Sequence, residues 1–205
     1  MSIWAIVVAA GSGSRFGERK QYLPLGGVRV LDWALREPLA RCSGVVLVVP
    51  ADVVDDPERG VFRVVAGGAT RSGSVRNGLA VVPPEAEVVV VHDAARPVPA
   101  PGVWDRVLAA VDAGADAAVP VIPVTDSLRR RGGSAVDREG MVAVQTPQAF
   151  RAASLRAAHA SAAEASDDAS LVEAIGGKVV LVDGDPANLK ITTPVDLSFA
   201  ELLCR

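Results

Sequence analysis

Four short apolar runs, at residues 3–10, 44–50, 87–91 and 117–121, consist mainly of Val, Ile, Leu and Ala. Each has the length of a strand, and none alternates polar with apolar residues, so each reads as a strand covered on both faces. Residues 62–65 and 178–182 are weaker strand candidates. Residues 30–39, 71–81, 102–113, 149–163, 168–175 and 194–203 read as helices. Alternation of this kind predicts an α/β fold: a three-layer sandwich around a mostly parallel, Rossmann-like sheet. Ligands of such sheets bind at the carboxyl ends of the strands.

One segment breaks the rhythm. Residues 125–144 are polar and basic, with Gly132 and Gly133 near the middle. They read as a two-stranded hairpin arm projecting from a single domain that spans residues 1–205. An isolated hairpin is marginal in water, so the arm needs something to pack on, and a second subunit is the economical choice. A solvated basic loop is the competing reading of the same residues.

Composition narrows the function. The 205 residues suffice for a full core, and with aromatics at 4% that core is chiefly Val, Ala and Leu. A net charge of −3 supports neither nucleic-acid nor membrane-surface binding. Cys42 and Cys204 form no metal or redox spacing and read as reduced packing residues. Met1 leads straight into the first strand with no signal-peptide pattern, and no apolar run approaches a membrane span; a soluble cytoplasmic protein is expected.

The first strand runs into Gly11-Ser12-Gly13-Ser14-Arg15, followed by Lys20. Gly11 and Gly13 let backbone N–H groups approach an anion, and Arg15 and Lys20 supply the charge that a polyphosphate needs. The loop is not a P-loop, because no Gly-Lys-Ser/Thr triplet occurs. Nor is it a dinucleotide fingerprint, because Gly17 falls one place late and Pro24, Gly26 and Gly27 delay the helix to about Val30. Gln21 and Tyr22 read as residues that close the loop onto the domain.

Four further segments carry chemistry. Gly67-Gly68-Ala69-Thr70-Arg71-Ser72-Gly73-Ser74 leads into a helix whose free N–H groups suit an anion or a base edge. Ser74 is a candidate ligand for base or ribose, and Thr70 or Ser72 a candidate cap. His92-Asp93-Ala94-Ala95-Arg96 places an acid at a strand end, where it can hold Mg²⁺ against a triphosphate. Arg96 brings a phosphate-shaped fork, and His92 reads as structural. Arg138 lies on the arm, and Thr146 is held extended by Pro147. Ser166 or Asp167 caps the next helix, Lys190 sits in an extended apolar stretch, and Asp183-Gly184-Asp185 reads as a turn. His159, in an alanine-rich helix, is expected at the surface.

AAGSGSR, KQYLPL, VHDAARP, QTPQ and NLKITTPVDL stand in this order from about Ile6 to Leu203. This ordered set resembles the 2-C-methyl-D-erythritol 4-phosphate cytidylyltransferases of non-mevalonate isoprenoid synthesis. The resemblance implies a CTP-dependent nucleotidyltransferase in which methylerythritol phosphate attacks the α-phosphorus of CTP and releases pyrophosphate. It implies that Arg15, Lys20 and Lys190 stabilise the charged transition state. By the same resemblance Asp93 is associated with Mg²⁺ and substrate. Arg138 and Ser166 match residues that hold or orient the acceptor, the family usually having Thr at the second. Arg96, Ser127 and Thr146 match other substrate-side positions, and Ala9, Ala10, Gly11, Gly68 and Ser74 the cytidine pocket. The arm is implied to cross to the other subunit of a homodimer.

Departures are local. Only four residues separate Arg15 from Lys20, a shorter spacing than the family usually shows. Arg19, Ala69 and Met141-Val142 replace its common residues. A cytidylyltransferase for ribitol 5-phosphate or another polyol phosphate is the alternative, and Ala94-Ala95 argues for methylerythritol phosphate. A non-catalytic nucleotide binder and a nicotinamide oxidoreductase are weaker readings, since the cations are retained and the dinucleotide fingerprint is not.

Overall fold

The computed structural model describes every residue except Ser12, Ser14, Arg15, Pro57, Pro99 and Arg205. In chain order, β1 (Ile3–Val8) leads to the small antiparallel pair β2 (Pro24–Leu25) and β3 (Val28–Arg29). Then come α1 (Val30–Arg41), β4 (Gly44–Val49), β5 (Arg63–Ala66), α2 (Arg71–Leu79), β6 (Val88–Asp93), α3 (Pro101–Asp112) and β7 (Ala117–Pro123). The arm carries β8 (Leu128–Arg129) and β9 (Ala135–Val136). The remainder is β10 (Val142–Val144), β11 (Gln148–Arg151), α4 (Ala152–His159), α5 (Asp168–Ala174), β12 (Val179–Asp183) and α6 (Pro194–Leu203).

β5, β4, β1 and β6 are hydrogen-bonded in that order, all parallel. β11 enters antiparallel between β6 and β7, and β12 pairs parallel with the other edge of β7. Successive residues of the central strands face opposite sides, which makes two cores. Ile6, Val46, Val48, Val89 and Val91 pack with α2, α4 and α5. Ala5, Val7, Val45 and Leu47 pack with α1, while Val88 and Val90 pack with Trp104, Val107 and Val111 of α3. The predicted three-layer α/β sandwich is therefore present, with both strand faces covered.

The chain leaves β1 for β4 and β5 on one side and returns to β6 on the other. The carboxyl ends of β1 and β6 flank this switch in direction, with Val8 in register with Asp93. A switch of this kind opens a crevice at the strand ends, and it fixes where the site lies.

Two expectations need correction. Residues 149–151, expected in a helix, belong to β11, and the helix begins at Ala152. An edge of β6 and an edge of β7 face each other, and their backbone groups need partners; Ala149 and Phe150 supply them while their side chains stay buried. The arm is not a single hairpin over 125–144. β8 and β9 form a two-residue ladder at its tip, whereas β10 turns back to pair with Val121–Pro123 of β7.

Smaller differences follow local chemistry. Thr70, not Ser72, caps α2, its Oγ1 accepting from the Gly73 N–H at 2.9 Å. Asp167, not Ser166, caps α5, accepting from Ser170. His159 is buried rather than at the surface. Cys42 and Cys204 are free, and burial pushes their thiols up to about 12 and about 11 respectively, which disfavours the thiolate. No helix among the described residues is long and apolar enough to cross a membrane.

Candidate active site

A cavity of about 450 Å³ opens at the β1/β6 switch. Three stretches of chain wall it: residues 8–11 after β1, residues 68–71 at the start of α2, and residues 93–95 after β6. Lys20 and Lys190 complete it from elsewhere in the sequence. Of the residues singled out from sequence, Ala9, Ala10, Gly11, Lys20, Gly68, Ser74, Asp93 and Lys190 all line this one space.

Small residues make the space. A Cβ on Gly67 would stand 2.3 Å from the Ala10 Cβ, and one on Gly68 would stand 2.7 Å from the Gly73 backbone. Gly67 lets the loop before α2 approach the loop after β1, and Gly68 lets its own backbone close against the first turn of α2. Gln21 fixes the other end. Its Nε2 donates to the carbonyls of Ala9 (2.7 Å) and Gly11 (3.2 Å), the loop-closing role expected of it. Gly13 lies beyond the lining at φ +71°, with its carbonyl accepting from Phe16 and Gly17. Arg15 lies outside the described residues.

Asp93 is the electrostatic centre. Its Oδ2 receives Lys190 Nζ at 2.6 Å and its Oδ1 faces Arg71 Nε at 3.4 Å. Burial alone would raise its pKa, but the Arg71 and Lys190 charges outweigh that and hold the carboxyl below the usual carboxylate range. The group is therefore anionic at neutral pH. It is a single carboxylate, and the described residues contain no group of three or more His, Cys, Asp or Glu side chains that could hold a metal. That donor set fits Mg²⁺, which commonly takes one or two carboxylates and completes its shell with substrate phosphates and water. It does not fit a cation caged by protein alone.

Behind Asp93 lies a buried network. The Asp93 N–H donates to Thr146 Oγ1 at 3.0 Å, Thr146 Oγ1 lies 3.2 Å from His92 Nδ1, and His92 Nε2 lies 3.2 Å from the Arg96 carbonyl. One assignment satisfies all three contacts: Thr146 donates to Nδ1 and the Nε2–H donates to the carbonyl. His92 is structural, as expected. Thr146 is not at the cavity; it holds the backbone of Asp93.

Arg96 also sits away from the cavity. Its two Nη atoms donate to the carbonyls of Asn188 (2.7 Å) and Val144 (3.2 Å). The fork expected to bind phosphate thus straps the Lys190 segment and the end of β10 to β6. Ser74 is similarly engaged, donating to the Thr70 carbonyl and accepting from the Gly68 N–H. Ser127 and Arg138 are exposed on the arm, Arg138 donating to the Thr125 carbonyl, and Ser166 is exposed one residue before the α5 cap. None of these three lines the cavity. The turn expected at Asp183–Asp185 lies further on: Asp183 ends β12, and the chain turns at residues 186–187, where the Asn188 N–H donates to the Asp185 carbonyl at 3.0 Å, while Arg106 donates to the carbonyls of Asp183 and Gly184.

Arg71 was missed as a site residue. It lines the cavity, bridges Asp93 to Asp168, and is held charged by both carboxylates against the opposing effect of burial. Its position as first residue of a helix after a Gly-Gly turn was the available signal. Asp168 gave none, because an acid in a first helical turn ordinarily reads as a favourable partner of the helix dipole.

Known proteins share this architecture. The IspD family model, described as 2-C-methyl-D-erythritol 4-phosphate cytidylyltransferase, matches residues 3–205. Enzymes of that name from Saccharopolyspora erythraea and Nocardia farcinica are 46% and 43% identical. The first alignment covers 98% of both chains; the second covers 98% of this chain and 94% of that protein. The crystal structure of the enzyme of that name from Thermus thermophilus superposes with a TM-score of 0.85 at 40% identity, covering 100% of both chains.

Proposed function

The chain belongs to the 2-C-methyl-D-erythritol 4-phosphate cytidylyltransferase family, and on that premise we propose how its own residues perform the transfer. The reaction moves CMP from CTP to 2-C-methyl-D-erythritol 4-phosphate in isoprenoid precursor synthesis. A phosphate oxygen of the acceptor forms a bond to the α-phosphorus of CTP. The bond from that phosphorus to the bridging oxygen breaks, and its electron pair leaves with pyrophosphate. No proton transfer is required, so the protein's task is positioning and charge stabilisation.

Lys20 and Lys190 are assigned to the charge that develops on the phosphates, with Arg15 as a third cation. The narrow wall of Ala9, Ala10, Gly11 and Gly68 takes the nucleoside, supported by Gly13 and Ser74. Asp93, held by Thr146 and Arg96 from behind, faces the phosphates and would hold Mg²⁺. That ion, when bound, supplies Lewis-acid charge neutralisation. Ser127, Arg138 and Ser166 lie outside the cavity and are assigned to the acceptor. The whole chain reads as one nucleotidyltransferase domain with a dimerisation and substrate arm at 125–144. Arm residues Met141, Val142 and Val144 are exposed apolar side chains, which supports a homodimer whose partner covers them. A cytoplasmic location accords with a soluble enzyme acting on phosphorylated metabolites.

The observation that carries this reading is the shared carboxylate: Asp93 holds Lys190 and faces Arg71 on the wall of a cavity that Lys20 also lines, between loops of small residues. Pyrophosphate release with CTP and methylerythritol phosphate tests it. Faster turnover with ribitol 5-phosphate would overturn the acceptor assignment.

A further inference from the structure

The charge cluster continues past the cavity in one direction. Arg71 Nη1 reaches Asp168 Oδ2 at 2.6 Å, and the Asp168 side chain is completely buried. Its other oxygen faces His159 Nε2 at 3.0 Å. His159 is buried, and its Nδ1 has no hydrogen-bond partner among the described residues. Arg71 is the cation that pairs with this buried carboxylate.

The two cations on Asp93 are thus held differently. Arg71 is 24% exposed and anchored at its far side by a carboxylate that water does not reach. Lys190 is 40% exposed, on a flexible stem, and approaches from the open side. Asp93, Asp168, Arg71 and Lys190 together carry no net charge. When Lys190 turns to a phosphate, the remaining three carry −1, and Arg71 still separates the two carboxylates.

Resting on the cytidylyltransferase reading, we propose that Asp168 is a positioning residue for the transfer: acting through Arg71, it keeps Asp93 in place while Lys190 moves from Asp93 to substrate phosphate. Asp168 touches neither substrate nor Asp93. It fixes the guanidinium, the guanidinium fixes the carboxylate, and Lys190 becomes free to leave without stranding a buried anion.

Asp168→Asn keeps the shape and removes the charge. Arg71→Lys keeps a cation but replaces the planar fork that reaches both carboxylates at once. The expected result for each is a fall in kcat of about 10²-fold, the scale of a misplaced reacting group. The KM for CTP should stay within about threefold, since a displaced Asp93 costs alignment in the transition state more than it costs nucleotide binding. The double variant is expected to be no slower than the slower single variant, because both act through one strut. Wild-type kcat in either variant overturns the proposal, as do losses that multiply in the double variant or fall only on KM. If Asp168→Asn fails to fold, Arg71→Lys decides by the same split between kcat and KM. Failure here is distinct from failure of the functional reading, which shows instead as no turnover of CTP with methylerythritol phosphate by the wild-type protein.

Discussion

Asp93 and Lys190 stand 97 residues apart in the sequence and meet at 2.6 Å on the cavity wall. One comes from the end of a buried central strand, the other from the extended segment between β12 and α6. The pair neutralises each partner when no phosphate is present. On the proposed reading a triphosphate competes with Asp93 for the ammonium, and substrate binding would rearrange this ion pair.

Lys20→Ala and Lys190→Met are each expected to lower kcat by at least about 10²-fold, the usual scale for losing a pre-organised charge stabiliser. Steady-state kinetics with CTP and methylerythritol phosphate checks this. An effect confined to KM would mean that the cation serves binding alone.

Thr146→Val removes the acceptor of the Asp93 N–H and the partner of His92 while preserving shape. Leaving those buried groups unsatisfied should cost about 1–3 kcal/mol of stability. Urea unfolding measures the loss. An unchanged midpoint would show that the Thr146 hydroxyl does not hold this strand end.

Burial pushes His92 down from 6.5 to about 4, with the Arg96 charge adding to the fall and Asp93 opposing it. The folded state thus favours the neutral ring, while the unfolded chain takes up a proton below its ordinary value. The stabilisation is fully present above about pH 6.5 and is lost as pH falls toward about 4. Asp93, also depressed, acts in a lower window, below its ordinary 3.8. Stability measured between pH 4 and 7 should therefore decline with acid in the wild type. The decline should be shallower in His92→Gln; equal slopes would remove His92 from the account.

Deleting residues 128–138 takes away the β8–β9 tip and leaves β10 in the sheet. Sedimentation velocity should then show weaker self-association than in the full chain. Unchanged sedimentation would discard the exchange of arms between subunits.

The layered fold was legible because its central strands are covered on both faces, so continuous apolar runs marked them. β11 was not legible. Ala149 and Phe150 precede an alanine-rich helix and share its apolar character, and only the unpaired edges of β6 and β7 make them a strand. At the site, the loop residues were legible from glycine spacing and the cations from their settings. The direction of individual side chains was less legible. Arg96 and Thr146 were expected to face substrate, yet both satisfy buried backbone groups, a demand set by tertiary contacts with residues 93, 144 and 188. Arg71, Asp168 and His159 converge from α2, α5 and α4, and no local pattern announces a junction of three helices.

The most direct test is a crystal structure of the protein with CTP and Mg²⁺. The account predicts the nucleotide between residues 9–11 and 68–71, Lys190 Nζ moved from Asp93 onto a phosphate oxygen, and Arg71 still joined to Asp168. Nucleotide bound elsewhere, or in this cavity with the Lys190–Asp93 contact unchanged at 2.6 Å, would contradict it.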